Sequence, residues 1–169
     1  MSLISESYRA QNTTLHENPA YGVSGYKRAD EVAEMARILG TRDILDYGCG
    51  KRTLEQALGF PIKNYDPCVA GLDTVPVEAD LVVCHDVLEH VEPDYLDNVL
   101  DDLQRVTRRV AFLVIATKPA KKTLPDGRNA HLIQQPASWW MPKIMARFNL
   151  CSFKVHKTDL FFVCEKLDA

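Results

Sequence analysis

The segment Ile44-Leu45-Asp46-Tyr47-Gly48-Cys49-Gly50 constrains this chain more than any other. It reads as a short buried strand ending in an acid, with two glycines one residue apart following at once. Glycine allows backbone conformations closed to residues with a Cβ and lets the main chain approach a bound group closely. A carboxylate at the same strand tip accepts hydrogen bonds from an ammonium group, directly or through water. The segment therefore suits a ligand that carries both a cation and a nucleoside.

The surrounding pattern alternates strands and helices. Ala29, Val32, Ala33, Ala36 and Leu39 repeat at helical spacing between Tyr26 and Leu39, and Gly40 supplies a stop. A strand over Ile44 to Tyr47 is followed by a short helix over Thr53 to Leu58 and a second strand over Ile62 to Tyr65. Ala79 to Cys84 is an apolar run suited to a strand buried on both faces. From Asp94 to Val106, Leu96, Val99, Leu100, Leu103 and Val106 mark one helical face, with Asp97, Asp101 and Asp102 on a solvated one. Val110 to Ala116 reads as a strand and Pro136 to Phe148 as a helix, and Ser152 to His156 with Leu160 to Cys164 as a closing hairpin. The expected fold is α/β: a Rossmann-like, doubly wound, mostly parallel sheet with a C-terminal antiparallel hairpin. Ligands are then expected at the carboxyl ends of the strands.

A length of 169 residues fits a single domain, 1–169, with residues 1–25 as a polar N-terminal segment. The formal net charge of −3 argues against a broad nucleic-acid-binding surface. Cys49, Cys68, Cys84, Cys151 and Cys164 form no CxxC pair, so small buried thiols are expected rather than disulfides or zinc ligands. No apolar run approaches the roughly 20 residues of a membrane span. The N-terminus is polar rather than signal-like, and the expected location is cytoplasmic.

Asp66 lies in Asn64-Tyr65-Asp66-Pro67, twenty positions after Asp46 and again at a strand end. An acid there accepts hydrogen bonds from ribose hydroxyls in nucleoside-binding sheets. A dehydrogenase binding NAD would want Gly-x-Gly-x-x-Gly, and counting from Gly48 the third glycine falls on Thr53. A third piece is Ala79-Asp80-Leu81-Val82-Val83-Cys84-His85-Asp86-Val87-Leu88-Glu89-His90-Val91, a strand that runs into a Leu-Glu-His turn. Together with Leu-Asp-Tyr-Gly-Cys-Gly, it resembles the class I S-adenosylmethionine-dependent methyltransferases. Within them, it is most similar to the small-molecule group with a Val-Leu-Glu-His segment after the fourth strand. The resemblance covers residues from about 43 to 166, including His131-Leu132-Ile133 before Pro136 and a helix.

The resemblance implies S-adenosyl-L-methionine as cofactor and S-adenosyl-L-homocysteine as product. Asp46, Gly48, Cys49 and Gly50 would line its methionine end, Asp66 with Pro67 its ribose, and His85 with Asp86 the region near the sulfonium. Two departures stand out. Arg52 replaces the third glycine of the family's Gly-x-Gly-x-Gly. The interval between Asp66 and Asp80 is too short for the family's usual helix and third strand, so that strand is expected to be reduced or absent and residues 70–79 to form a loop.

Methyl transfer from a sulfonium is an in-line displacement in which alignment alone supplies roughly 7–11 kcal/mol. A base is needed only when the acceptor must lose a proton. His131 and His90 are the candidate catalytic residues, since an imidazole titrates near working pH. For His131, a hydrogen bond to the loop backbone is the competing role. Lys118, Arg128 and Asn129, in the loop Lys118 to Gln135, are candidates for binding an anionic or hydroxylated acceptor, while Lys121 and Lys122 read as solvated. Tyr8, His16 and Tyr21 are candidates for a lid. No metal is expected, because no acidic spacing demands one. The expected activity is methylation of an oxygen or nitrogen of a small-molecule acceptor. A nucleic-acid or protein methyltransferase and a non-catalytic S-adenosylmethionine-binding subunit remain the alternatives.

Overall fold

The computed structural model describes residues 2–167; Met1 and residues 168–169, the ends of the expected domain, lie outside them. Among the described residues six strands form one sheet: β1 (Ile44–Tyr47), β2 (Lys63–Tyr65), β3 (Ala79–His85), β4 (Thr107–Ala116), β5 (Phe148–His156) and β6 (Asp159–Lys166). Their order is β2-β1-β3-β4-β6-β5. β2, β1, β3 and β4 run parallel, whereas β6 is antiparallel to both β4 and β5. This is the expected Rossmann-like architecture with its antiparallel closing hairpin.

Side-chain alternation along the strands builds two cores, one on each face. On one side Leu45, Val82, Cys84, Ala111, Leu113 and Ile115 pack with Leu96, Val99, Leu100 and Leu103 of α4 (Leu96–Val106) and Trp140 and Ile144 of α5 (Ala137–Met145). On the other, Ile44, Leu81, Val83, Phe112 and Val114 pack with Val32 and Ala36 of α2 (Ala29–Leu39) and Leu54 of α3 (Thr53–Leu58). A period of two along β4 thus feeds both layers, as a doubly wound sheet requires. The acidic face of α4 is pinned rather than simply solvated: Arg147 pairs with Asp97 and Asp101, and Asp102 accepts from Arg105 and from the Tyr47 hydroxyl at 2.9 Å.

Two features bear on the site. Between β2 and β3 the described chain has neither helix nor strand, as the short interval implied. Asp66 starts a compact turn there, with its amide bonded to the Leu72 carbonyl at 2.9 Å. The N-terminal segment, by contrast, contains a helix that its polar sequence did not announce, α1 (Glu6–His16), N-capped by Ser5, whose hydroxyl accepts from the Tyr8 amide.

Candidate active site

The carboxyl ends of β1, β2 and β3 share one edge of the sheet, with Asp46 beside Asn64 and Val83 in register. Above that edge lies a cavity of about 740 Å³. It is lined by every residue expected at the cofactor (Asp46, Gly48, Cys49, Gly50, Asp66, Pro67, His85 and Asp86) and by both candidate catalytic residues, His90 and His131.

The glycine turn is shaped by backbone contacts. Gly48 and Gly50 adopt φ of +83° and +49°. A Cβ on Gly50 would stand 2.5 Å from the Gly22 carbonyl oxygen, so the N-terminal segment crosses directly over the turn. Arg52, at the place of the third glycine, takes the same left-handed conformation (φ 56°, ψ 34°) while its side chain points outward beside Glu55. The turn therefore keeps its course with a side chain in place.

Asp66 is buried and its carboxylate organises the turn. Oδ2 accepts from the Gly50 amide at 3.0 Å and Oδ1 from the Cys68 amide at 2.9 Å, with His16 Nε2 3.8 Å from Oδ2. Asp46 is buried too. Desolvation, reinforced by the charges of Asp66 and Glu55, pushes its carboxyl up to about 7. A group so placed gains from a cationic ligand that would replace lost hydration. His85, at the tip of β3, stacks edge-on to Phe112 with both ring nitrogens buried and unpartnered. Burial pushes its imidazole down to about 3, so it is neutral at working pH.

The opposite wall comes from the 3-10 turn Leu88–His90 and the loop after β4. Glu89 is fully buried, with Oε1 accepting from the Ala116 amide at 3.0 Å. Its carboxyl stands well above the usual range, first through burial and then through Asp86. Burial and the neighbouring His131 lower His90 to about 3. The His90 and His131 rings meet edge to face at 4.7 Å. His131 Nδ1 donates to the Lys118 carbonyl, which leaves the lone pair on Nε2. The backbone bond and an available Nε2 thus coexist.

The residues expected to bind the acceptor are placed otherwise. Lys118, Arg128 and Asn129 do not line the cavity. Arg128 turns to Asp126, at 2.7 Å. Asn129 is a loop staple, its Oδ1 accepting from the Ala120 and His131 amides and its Nδ2 donating to the Ala120 carbonyl. Lys121 and Lys122, which read as solvated, do reach the wall. Lys122 Nζ donates to the Ala20 carbonyl at 2.9 Å and sits 4.9 Å from the Tyr21 ring centroid, bridging the loop to the N-terminal segment.

That segment carries α1, the helix the sequence did not announce. Tyr8, Asn12, His16 and Tyr21 all line the cavity. The Tyr8 hydroxyl donates to the His90 carbonyl and the Thr13 hydroxyl to the Cys68 carbonyl. Lys51 Nζ donates to the carbonyls of His16 and Asn18. Ser5 ahead of Tyr8 and Asn12, at helical spacing, is the one local signal that could have revealed α1.

Residues 22–158 match the family model described as a methyltransferase domain. The chain belongs to that methyltransferase family. No curated protein sequence matches it. Solved structures share the fold at low identity. One is the 1,6-didemethyltoxoflavin-N1-methyltransferase of Burkholderia thailandensis, with 1,6-didemethyltoxoflavin and S-adenosylhomocysteine bound, at TM-score 0.64 and 16% identity over 95% of this chain and 87% of that one. Another is the magnesium protoporphyrin IX methyltransferase of Synechocystis PCC 6803 with bound S-adenosylhomocysteine, at TM-score 0.59 and 17% identity over 86% of this chain and 84% of that one. Within the family fold, this chain's glycine turn, Asp46 and Asp66 stand at the strand ends where a nucleoside ligand is expected. No described helix is long and apolar enough to cross a membrane.

Proposed function

We propose that this protein transfers a methyl group from S-adenosylmethionine to an oxygen or nitrogen of a small-molecule acceptor. The observation that carries the reading is one cavity with two chemically different walls. Asp46, Asp66 and the glycine turn form one, and Glu89, His90 and His131 the other. A volume of about 740 Å³ lies within the roughly 300–1,000 Å³ usual for ligand sites. The family match and the ligands of the fold neighbours support the same cofactor.

In this arrangement Asp46 faces the ammonium end and Asp66 the ribose hydroxyls. With no strand between β2 and β3, the adenine falls among Ile4, Tyr8, Cys68, Val87 and Val91, apolar and aromatic members of the lining. The N-terminal segment, tied to the glycine turn, the β2 turn and the Leu88–His90 turn, acts as a lid and sequesters the reaction from water. The acceptor enters beside His90 and His131. There the chain aligns its nucleophile with the methyl carbon, and the sulfur leaves as a neutral thioether.

Calorimetry with S-adenosylmethionine and S-adenosylhomocysteine tests the cofactor, with one site per chain expected. A labelled-methyl screen of cell extract, fractionated into small molecules, nucleic acid and protein, tests the acceptor. Label in the small-molecule fraction is the expected result, and label confined to a macromolecular fraction would overturn the assignment. Absence of binding to either nucleoside would overturn the cofactor.

A further inference from the structure

The wall opposite the glycine turn carries a constellation that alignment of a methyl donor does not require. The carboxylate of Glu89 and one ring nitrogen from each of His90 and His131 lie within 4.8 Å of one another. Glu89 Oε2 and His90 Nδ1 are buried there with no hydrogen-bond partner. Buried polar atoms are nearly always partnered, so two orphans in one small cluster, on the wall of a cavity, mark a place prepared for a further group.

The surroundings of the three side chains favour a cation as that group. The outer atoms of two of them are already held. Glu89 Oε1 accepts from the Ala116 amide, and His131 Nδ1 donates to the Lys118 carbonyl. Metal-binding histidines are oriented in this way, with the second ring nitrogen donating to a carbonyl or carboxylate. The backbone beneath is fixed as well, since the Glu89 carbonyl accepts from the Ile133 amide at 3.0 Å and the His90 carbonyl from the Tyr8 hydroxyl. Asp86, three residues before Glu89, lines the same cavity and adds negative charge.

We propose that Glu89, His90 and His131 hold one divalent transition-metal cation at the acceptor end of the cavity, and that this cation binds the hydroxyl oxygen to be methylated. Two imidazoles and a carboxylate suit such ions and leave coordination positions open for water or substrate. The role in transfer rests on the methyltransferase reading above; the binding of the ion does not. Bound to the cation, the acceptor hydroxyl releases its proton to solvent water before the N-terminal segment closes over the site. The oxyanion attacks the methyl carbon, the new O–C bond forms, and the C–S bond breaks with its electron pair going to sulfur. The products are the methyl ether, neutral S-adenosylhomocysteine and one proton. The cation is unchanged and selects acceptors with a hydroxyl, or two adjacent ones, over simple amines.

The full chain, treated with chelator and shown by calorimetry to bind S-adenosylhomocysteine, is titrated with Co²⁺ alone and followed by its visible absorption. Zn²⁺ and Mn²⁺ are then titrated by calorimetry. One equivalent is expected, and both Glu89→Gln and His131→Gln weaken it by about tenfold or more while the nucleoside still binds. Should Glu89→Gln fail to fold, His131→Gln decides, because its loop lies at the surface. Chelation should abolish methylation of a hydroxylated acceptor, and added cation should restore it. A folded, nucleoside-binding protein that takes up no cation overturns the proposal, as does equal uptake by the variants or full activity without metal. Failure to bind the nucleoside would instead strike the methyltransferase reading, whatever the metal result.

Discussion

The Gly50 amide donates to Asp66 Oδ2 at 3.0 Å, so the turn after β1 and the tip of β2 are joined through one buried carboxylate. Asp66 thus has two tasks, since the oxygens proposed to take ribose hydroxyls also hold the Gly50 and Cys68 amides in place. Asp66→Ala leaves two buried amides without acceptors, at about 1–3 kcal/mol each. A lower melting temperature is expected together with S-adenosylhomocysteine affinity reduced by about tenfold or more. Asp66→Asn, which keeps one carbonyl oxygen, should lie between. A folded alanine variant with wild-type affinity would remove Asp66 from the cofactor site.

Asp46 predicts a pH dependence of opposite sign for stability and for binding. Its folded value, about 7, lies above the ordinary carboxyl value. Between the two, the folded state holds a proton that the unfolded chain has released. The stability this contributes is complete below about pH 4 and declines as pH rises to 7, by about 1.4 kcal/mol per unit at most. A cationic ligand prefers the carboxylate, so nucleoside affinity should rise up to about tenfold per unit from pH 5.5 to 7. Asp46→Asn should flatten that profile, weaken binding and raise the melting temperature at pH 8. Calorimetry across the range checks it, and a flat wild-type profile would exclude a titrating Asp46.

How far the sequence foretold this site depended on the range of the interactions. β1, β3 and β4 were legible because both sheet faces are buried and each strand declares itself by an apolar run. The Asp46–Gly50 turn and Asp66 were legible because their positions follow from the strand ends beside them. α1 was not, since Arg9, Gln11, Asn12, Thr13 and Thr14 give no apolar stripe. Its attachments are long-range, from Ser5 to Glu92, Thr13 to Cys68 and Tyr8 to His90. The loop after β4 misled for a related reason. Its residues 123 and 129 bridge, so Asn129 is consumed in stapling Ala120, and Lys122 is carried to the wall instead. The convergence of His131 with Glu89, across 42 residues of sequence, is likewise a product of tertiary folding.

Arg52 gives a test of backbone strain. A non-glycine residue in the left-handed region loses about 1–2 kcal/mol per residue relative to the right-handed one. Its compensation is a half-exposed pairing with Glu55 at 3.7 Å, and such pairs contribute little. Arg52→Gly is therefore expected to be neutral or to stabilise by up to about 1 kcal/mol, the relief of strain being partly offset by the greater freedom glycine gives the unfolded chain. Urea denaturation measures it. A loss beyond about 1 kcal/mol would mean that the guanidinium does more than fill the position.

Lys51 ties the N-terminal segment to the glycine turn. Its ammonium donates to the carbonyls of His16 and Asn18, the end of α1 and the residue two beyond it, while its amide donates to the Gly22 carbonyl at 2.8 Å. Lys51→Met keeps the amide bond and the aliphatic stem but removes both side-chain hydrogen bonds, so the strand framework should be unaffected. The expected result is faster hydrogen exchange and proteolysis confined to residues before 25, with S-adenosylhomocysteine dissociating several-fold faster and its association rate little changed. Opening of a lid acts on release in this way because it lowers the barrier to escape without altering the groups that grip the nucleoside. Limited proteolysis paired with stopped-flow displacement separates the cases. A variant with a loosened N-terminus and an unchanged dissociation rate would show that α1 only braces the fold.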